Sequence, residues 1–310
     1  VLPRVTWAGI ELRSYALTMV AGVWLTVFCV AAVRRNGTRW WVGYAVLTIA
    51  ATLLNVFLVL LVGVHAVVVR VLGRSSKVLW RWALAAGVAV VVVIPFLVFT
   101  QTQLFQVGWI SPLSARTVGE VLREQYFDDS LPFAVLSGLI LAAGLLCRRR
   151  AGPQPGRLAV VAIAWILIPT AVMLLYSALR HPIYYPRYLS FTAPAIALLL
   201  GLCIVAVGRS QAGVTAVLLA LAVAATPNFL AQRGPYAKEG MDFSQVADVI
   251  NRHAAPGDCL ILDNSAAWKP GPIRPLTAAR PAVADRGPHS RRARTTEHHH
   301  RRPHAQPPAR

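Results

Sequence analysis

The sequence predicts an all-α polytopic membrane protein of about eight transmembrane helices, two of them a short hairpin. A small, incomplete α/β extracytoplasmic segment and a disordered tail follow. Three observations predict this. Apolar blocks succeed one another between Tyr15 and Leu230, and none of them contains a carboxylate. The acids lie at Glu11, at Glu120, Glu124, Asp128 and Asp129, and from Glu239 onward. The loops between blocks are short and rich in arginine. An ionised group at the bilayer centre costs several kcal/mol, so blocks that meet hydrocarbon are cleared of acid.

A helix needs about 20 apolar residues to cross roughly 30 Å of hydrocarbon. Residues 15–33, 82–100, 131–147, 158–179, 188–207 and 212–230 each meet that need. The stretch 40–72 is too long for one span and carries Asn55 and His65. Arg34, Arg35 and Arg39 precede it, and Arg70, Arg74, Lys77 and Arg81 follow it. Cations on both flanks place both flanks on the cytoplasmic side. The stretch therefore reads as two short helices, 40–53 and 56–72, turning near Asn55.

The charge count then agrees throughout. Loops 34–39, 70–81, 148–157 and the surroundings of Arg209 hold twelve Arg or Lys and no acid. Segments 1–14, 101–130 and 180–187 hold six Arg and five acids, which places them, and both termini, outside the cytoplasm. Trp40, Trp41, Trp80, Trp82 and Trp109 fall near span ends, where amphipathic rings prefer to sit. Pro95, Pro169 and Pro194 are expected to kink their helices. Arginine outnumbers lysine 28 to 3, which fits GC-rich coding and a bacterial plasma membrane. The net charge of +19 is largely topological, so a nucleic-acid partner is not expected.

The transmembrane region is assigned to 1–230, the partial α/β segment to 231–267 and the disordered tail to 268–310. In the middle segment, Phe243, Val246, Ala247 and Ile250 share one helical face, with Asp242 as N-cap. Pro256-Gly257-Asp258 is a turn, and Cys259 to Leu262 reads as a short strand. The tail is Pro, Arg and His, too poor in apolar residues to offset its ordering entropy. Its histidines at 289, 298, 299, 300 and 304 suggest either a metal-binding tract or an out-of-frame end. No disulfide framework or metal-site spacing follows from the four cysteines, and no cofactor is assigned, a divalent metal being left open.

Two outer motifs carry candidate chemistry. Glu11 and Arg13 stand beside Tyr15 at the mouth of the first span, either as an anion site or as an ion pair anchoring the helix end. Arg180, His181, Tyr184, Tyr185, Arg187 and Tyr188 crowd the short loop before 188–207, either around a lipid phosphate or as a headgroup-anchoring belt. The loop 101–130 contains an amphipathic stretch marked by Val118, Val121, Leu122, Gln125 and Tyr126, expected along the interface with its acids as a solvated face. Asn55 and His65 are expected to satisfy neighbouring helices.

Glu11-Leu12-Arg13-Ser14-Tyr15-Ala16-Leu17 resembles the E-A-R-x-Y-A-L stretch of GT-C superfamily glycosyltransferases. Within that superfamily the chain looks like the bacterial dolichyl-phosphate-mannose mannosyltransferase-like proteins of family thirty-nine type. Pro186-Arg187-Tyr188-Leu189-Ser190-Phe191-Thr192-Ala193-Pro194 resembles their P-R-Y-L-x-F-x-x-P stretch. The short double helix and the segment 242–258 recur in the same order, and the resemblance runs from about residue 3 to 265. It implies transfer of a sugar, mannose by analogy, from a polyprenyl-phosphate donor on the extracytoplasmic face. Arg13, Tyr15, His181, Arg187 and Tyr188 would bind that donor, with membrane lipids around them. The family's catalytic acid sits in a first outer loop that has no counterpart here, and Glu11 belongs to the later motif. No catalytic residue is therefore assigned, and the chain reads as the central and later part of such an enzyme, incomplete at both ends. The competing readings are a transporter or envelope-assembly scaffold, and a decayed gene product.

Overall fold

The computed structural model describes residues 2–73, 75–147, 153–237 and 242–253. The chain divides into two compact units, Val1–Arg233 and Gly234–Arg310. The first unit begins with α1 (Pro3–Ile10), α2 (Tyr15–Arg35) and α3 (Thr38–Leu54). A 3-10 turn (Val56–Leu60) leads into α4 (Leu61–Leu72), and α5 (Ser76–Thr102) follows. Next come a 3-10 turn (Leu104–Val107), α6 (Ala115–Gly119), a π-helical turn (Glu120–Glu124) and α7 (Gln125–Phe127). The unit closes with α8 (Leu131–Cys147), α9 (Pro153–Leu179), a 3-10 run (Pro186–Thr192), α10 (Ala193–Gly208) and α11 (Gln211–Ala231).

Every apolar block is helical, and no strand occurs among the described residues. Among the described residues five stretches are long and apolar enough to cross a membrane: Tyr15–Arg35, Ser76–Thr102, Pro155–Leu179, Pro186–Gly208 and Gln211–Ala231. The chain is a multi-pass helical membrane protein. By length and composition alone the described residues give five spans, or six if the bent pair below is one, where the sequence predicts about eight. α3 and α8 have 17 residues each. At 1.5 Å per residue such a helix reaches about 25 Å, less than the roughly 30 Å of hydrocarbon. Val56–Leu72 is equally short, and Ala115–Phe127 passes only when joined to Leu131–Leu146 across a 90° bend.

Local chemistry sets the boundaries. α2 ends on Arg34 and Arg35, which suit the negative end of its dipole, and on Asn36, whose φ of 47° stops the helix. Asn55 is extended, and its side chain accepts from Phe57 N at 3.0 Å to start the next turn. α3 and α4 form the expected hairpin: Tyr44 Oη lies 2.9 Å from His65 Nδ1, each about ten residues from the bend. Pro95 and Pro169 lie inside α5 and α9 as expected. Pro194 does not. It sits in the first turn of α10, where its missing N–H costs nothing, and the irregular backbone falls earlier, at Leu189.

Contacts gather the non-membrane segments at two ends of the bundle. At one end Arg81 donates to Asn36 O, Trp41 Nε1 donates to Asn36 Oδ1 at 3.2 Å, and Arg35 lies 4.4 Å over Trp40. At the other, Arg4 pairs with Asp128, Gln232 donates to Asp128, and Tyr176 donates to Gln101. The core between them centres on Tyr44, Leu58, Leu61, Val64, Val68, Leu189 and Phe191, all fully buried.

In the second unit α12 (Phe243–His253) forms as expected. Asp242 caps it, accepting from Ser244 N at 2.9 Å and Gln245 N at 3.2 Å. Ala247 is buried and Val246 is exposed, so the buried face is narrower than the pattern suggested. The turn at 256–258, the strand at 259–262 and the tail lie outside the described residues.

Candidate functional site

The site lies at the end of the first unit where α1, the Asn55 bend, the 101–130 loop and the 180–188 loop meet. Between α1 and α2 the chain turns through Glu11–Ser14, which sets Arg13 outside the apolar stretch and starts α2 at Tyr15. A cavity of about 410 Å³ opens there, lined by Arg13, Tyr15, Asn55, Phe57 and Tyr188 among others. Two separate sequence motifs thus meet at one cavity. Tyr15 is buried against Trp7, with ring centroids 5.1 Å apart, and Tyr188 stacks on Phe57 at 5.6 Å.

Arg13 is 57% exposed, and its Nε stands 3.8 Å from Glu11 Oε1, a loose pair in water. Burial opposes its charge, but a hydrogen bond to Tyr15 and the field of Glu11 hold its pKa above the ordinary arginine value. Arg187 reaches the same region from the irregular 3-10 run. Its guanidinium carbon is 4.6 Å from the Tyr185 ring and 5.7 Å from the Trp109 ring. Its Nε is buried and has no hydrogen-bond acceptor. No carboxylate forms an ion pair with it among the described residues. Arg13 and Arg187 both act electrostatically on Tyr188, which stands near both.

Of the five expected donor-binding residues, the structure brings Arg13, Tyr15 and Tyr188 to one cavity and Arg187 beside it. His181 does not join them. Its Nδ1 lies 3.1 Å from Pro182 O, within its own loop. Ser177 Oγ holds that loop by accepting from Tyr184 N at 2.8 Å and Ile183 N at 3.1 Å.

The acids of the 101–130 loop are not simply a solvated face. Asp128 Oδ1 lies 2.9 Å from Arg4 Nη1, and Arg4 is 3% exposed. Arg4 also donates to Glu124 O and, at 3.3 Å, to Gln125 O. Asp128 Oδ2 accepts from Gln232 Nε2 at 2.7 Å, and Asp128 O accepts from Asn228 Nδ2 at 3.0 Å. This clasp ties α1 and α11 to the bend before α8. Burial pulls the pKa of Arg4 below its ordinary value, with Asp128 and then Glu124 opposing that shift. Burial also raises Glu124, which Arg4 partly offsets.

The amphipathic stretch does not lie flat along an interface either. Gln125, Tyr126 and Phe127 are buried. Gln125 Nε2 donates to Tyr126 Oη at 2.6 Å and Thr170 Oγ1 at 3.1 Å, while its Oε1 accepts from Tyr184 Oη at 3.0 Å. A buried amide with three partners, two of them (Thr170 and Tyr184) on other elements, fixes the loop to the bundle. Only Val118 and Leu122 keep an outward apolar face. Arg4 and Gln125 are the residues that sequence reasoning missed. For Arg4 there was one signal, a cation on the acid-bearing side that topology does not require.

His65 and Asn55 are satisfied locally. Thr26 Oγ1 spends its proton on Gly22 O at 2.8 Å, so at 3.2 Å it accepts from His65 Nε2. His65 Nδ1 is then an acceptor for Tyr44 Oη. No cluster of three metal-ligating side chains occurs among the described residues. Compared with protein-family models, curated proteins and solved structures, the chain matches none.

Proposed function

We propose that this protein binds a polyprenyl-phosphate sugar at the cavity mouth between Arg13, Tyr188 and Arg187, as a membrane glycosyltransferase of the GT-C type. The observation that carries this reading is Arg187: half-buried, without a carboxylate partner among the described residues, and with a buried Nε that lacks an acceptor. A desolvated guanidinium favours a bidentate oxyanion, and a phosphate supplies one. The apolar, aromatic wall of Tyr15, Phe57 and Tyr188 suits the lipid side of such a donor.

The chemistry rewards this placement. An acceptor hydroxyl attacks the anomeric carbon, the bond from that carbon to the phosphate oxygen breaks, polyprenyl phosphate leaves with the bonding electron pair, and the hydroxyl proton is released to water. The diester donor carries one negative charge, and the departing monoester gains a second. Arginines fixed beside the leaving oxygen stabilise that developing charge more than the ground state, which is what accelerates a reaction. Mannose as the sugar rests on the motif resemblance alone.

The same reading places the site outside the cytoplasm. The positive-inside rule assigns the opposite end, with Arg34, Arg35, Arg39 and Arg81, to the cytoplasm of a bacterial plasma membrane. All eight apolar blocks then cross, the three short ones in locally thinned bilayer, and the segments before α2 and after α11 are extracytoplasmic.

The test is equilibrium binding by the purified protein in nanodiscs, with polyprenyl-phosphate-mannose against the matching polyprenol. The phosphate-bearing ligand should bind more tightly. Arg187→Ala should weaken it about tenfold or more, the usual scale of a charge-assisted hydrogen bond. Equal binding of both ligands, or no effect of Arg187→Ala, overturns the proposal. A transporter or scaffold reading gains only if the donor does not bind at all.

A further inference from the structure

We infer that Trp109, supported by Tyr185, is the platform on which the sugar of the lipid-phosphate donor rests. This deepens the proposed function and rests on that reading.

Four rings form a continuous rail away from the cavity. Phe57 stacks on Tyr188 at 5.6 Å, Tyr188 meets Tyr185 at 5.8 Å, and Tyr185 meets the Trp109 ring edge-on at 4.9 Å. The first two rings line the cavity with Arg13, and the last two carry the Arg187 guanidinium. Trp109 at the far end stays 43% exposed. A tryptophan placed only to fill the core would bury that surface.

The loop that presents Trp109 is braced. Gln101 accepts from Tyr176 Oη at 2.7 Å, Gln106 Nε2 donates to Gln103 Oε1 at 2.6 Å, and buried Ile110 follows directly, its N–H donating to Val107 O at 2.9 Å. Anchors on both sides hold the indole in place, as a recognition surface requires.

Connectivity selects the occupant. In a lipid-phosphate sugar, one bridging oxygen separates phosphorus from the sugar ring. A phosphate on the open edge of Arg187 therefore carries its sugar next to whatever Arg187 touches, and Arg187 touches Tyr185 and Trp109. The C–H face of a pyranose is weakly positive, and the indole face is the most electron-rich among side chains. The lipid leads the other way, into the apolar cavity between Tyr15 and Phe57. Charge and apolarity are thus ordered along the rail as they are along the donor.

The test uses the full chain in nanodiscs and two probes, polyprenyl-phosphate-mannose and sugar-free polyprenyl phosphate. Trp109→Ala should weaken the sugar-bearing probe about three- to tenfold, the scale of one aromatic stacking contact. It should leave polyprenyl phosphate within about twofold, and Trp109→Phe should recover most of the loss. Equal weakening of both probes would make Trp109 a positioning group for Arg187 and overturn the proposal, as would no effect on either. If the unaltered protein binds neither probe, the underlying phosphate site fails and this inference with it. If it binds both equally and Trp109→Ala changes nothing, the phosphate site stands and the sugar platform falls.

Discussion

Replacing Asp128 by Asn isolates the clasp from everything else in the molecule. Asn keeps the shape and tolerates the left-handed φ of 49° found at this position, so no backbone strain is added. What changes is the charge opposite Arg4 and the oxygen that accepts from Gln232; Arg4 is 3% exposed and keeps only the carbonyls of Glu124 and Gln125 and the face of the Trp7 ring. Leaving one member of a buried pair unpaired costs about 3–5 kcal/mol. With Asp128 18% exposed and two carbonyls remaining, the low end applies, about 3 kcal/mol, or roughly a hundredfold in the folding equilibrium. The comparison is Asp129→Asn in the neighbouring pair, where Arg123 and Asp129 are 2.5 Å apart but 46% and 63% exposed. Distance alone would rank that pair higher. Solvent screening ranks it lower, at about 1 kcal/mol or less. Reversible unfolding in mixed micelles, followed by far-UV ellipticity, measures both. If the two substitutions agree within about 0.5 kcal/mol, burial does not decide the strength of the clasp and the reasoning fails.

The remaining predictions concern other parts of the bundle. His65→Leu leaves the Tyr44 hydroxyl proton without its acceptor, while Thr26 keeps its bond to Gly22 O, and should cost about 1–3 kcal/mol, and 15N spectra of the parent should show the Nε2–H tautomer; an Nδ1–H signal would reverse the assigned direction of the bonds. The fold raises the pKa of Glu124 through burial, so it favours the protonated acid, and that stability is lost as pH rises through the folded value. Glu124→Gln should therefore gain on the parent as pH rises from 4 to 8; a gain that shrinks over that range refutes the sign. A Cβ on Gly144 would lie 2.5 Å from Cys203 Cβ, so Gly144→Ala should loosen the α8–α10 contact by about 1–3 kcal/mol, read as a lower unfolding midpoint; an unchanged midpoint would show that the helices separate freely.

The fold was legible because hydrocarbon imposes a one-dimensional rule. A block without acid between cationic loops must be a helix, and all eight such blocks are. The bend at Asn55 was legible for a related reason, since cations on both flanks demand an even number of crossings. Length was less legible. α3, α8 and Val56–Leu72 fall short of a full span, and neither hydropathy nor loop charge measures how a short helix is accommodated. Pro194 was misread because one sequence serves both a kink and a first turn, and only the path of the preceding chain separates them. Most of the site residues were legible as arginines and tyrosines gathered on the acid-bearing side. The buried network was not, because Gln125 looked like one more polar residue on an amphipathic face. Its partners Thr170 and Tyr184 stand 45 and 59 positions away.

The arginines of that end show what the sequence withheld. Six of them share the side with five acids, and composition treats them alike. In the structure Arg4 is matched by Asp128, Arg13 loosely by Glu11, Arg116 by Glu120 and Arg123 by Asp129. Arg180 is exposed and remains in water. Arg187 alone is half-buried without a carboxylate among the described residues, and it lies against the rings that run into the cavity. A cation removed from water and not paired with the protein's own acids is stabilised best by an anion from outside. The surrounding pairs favour the same outcome, because each local acid already engaged is one that does not compete for Arg187. The phosphate selectivity proposed for the site thus depends as much on the four arginines that are matched as on the one that is not.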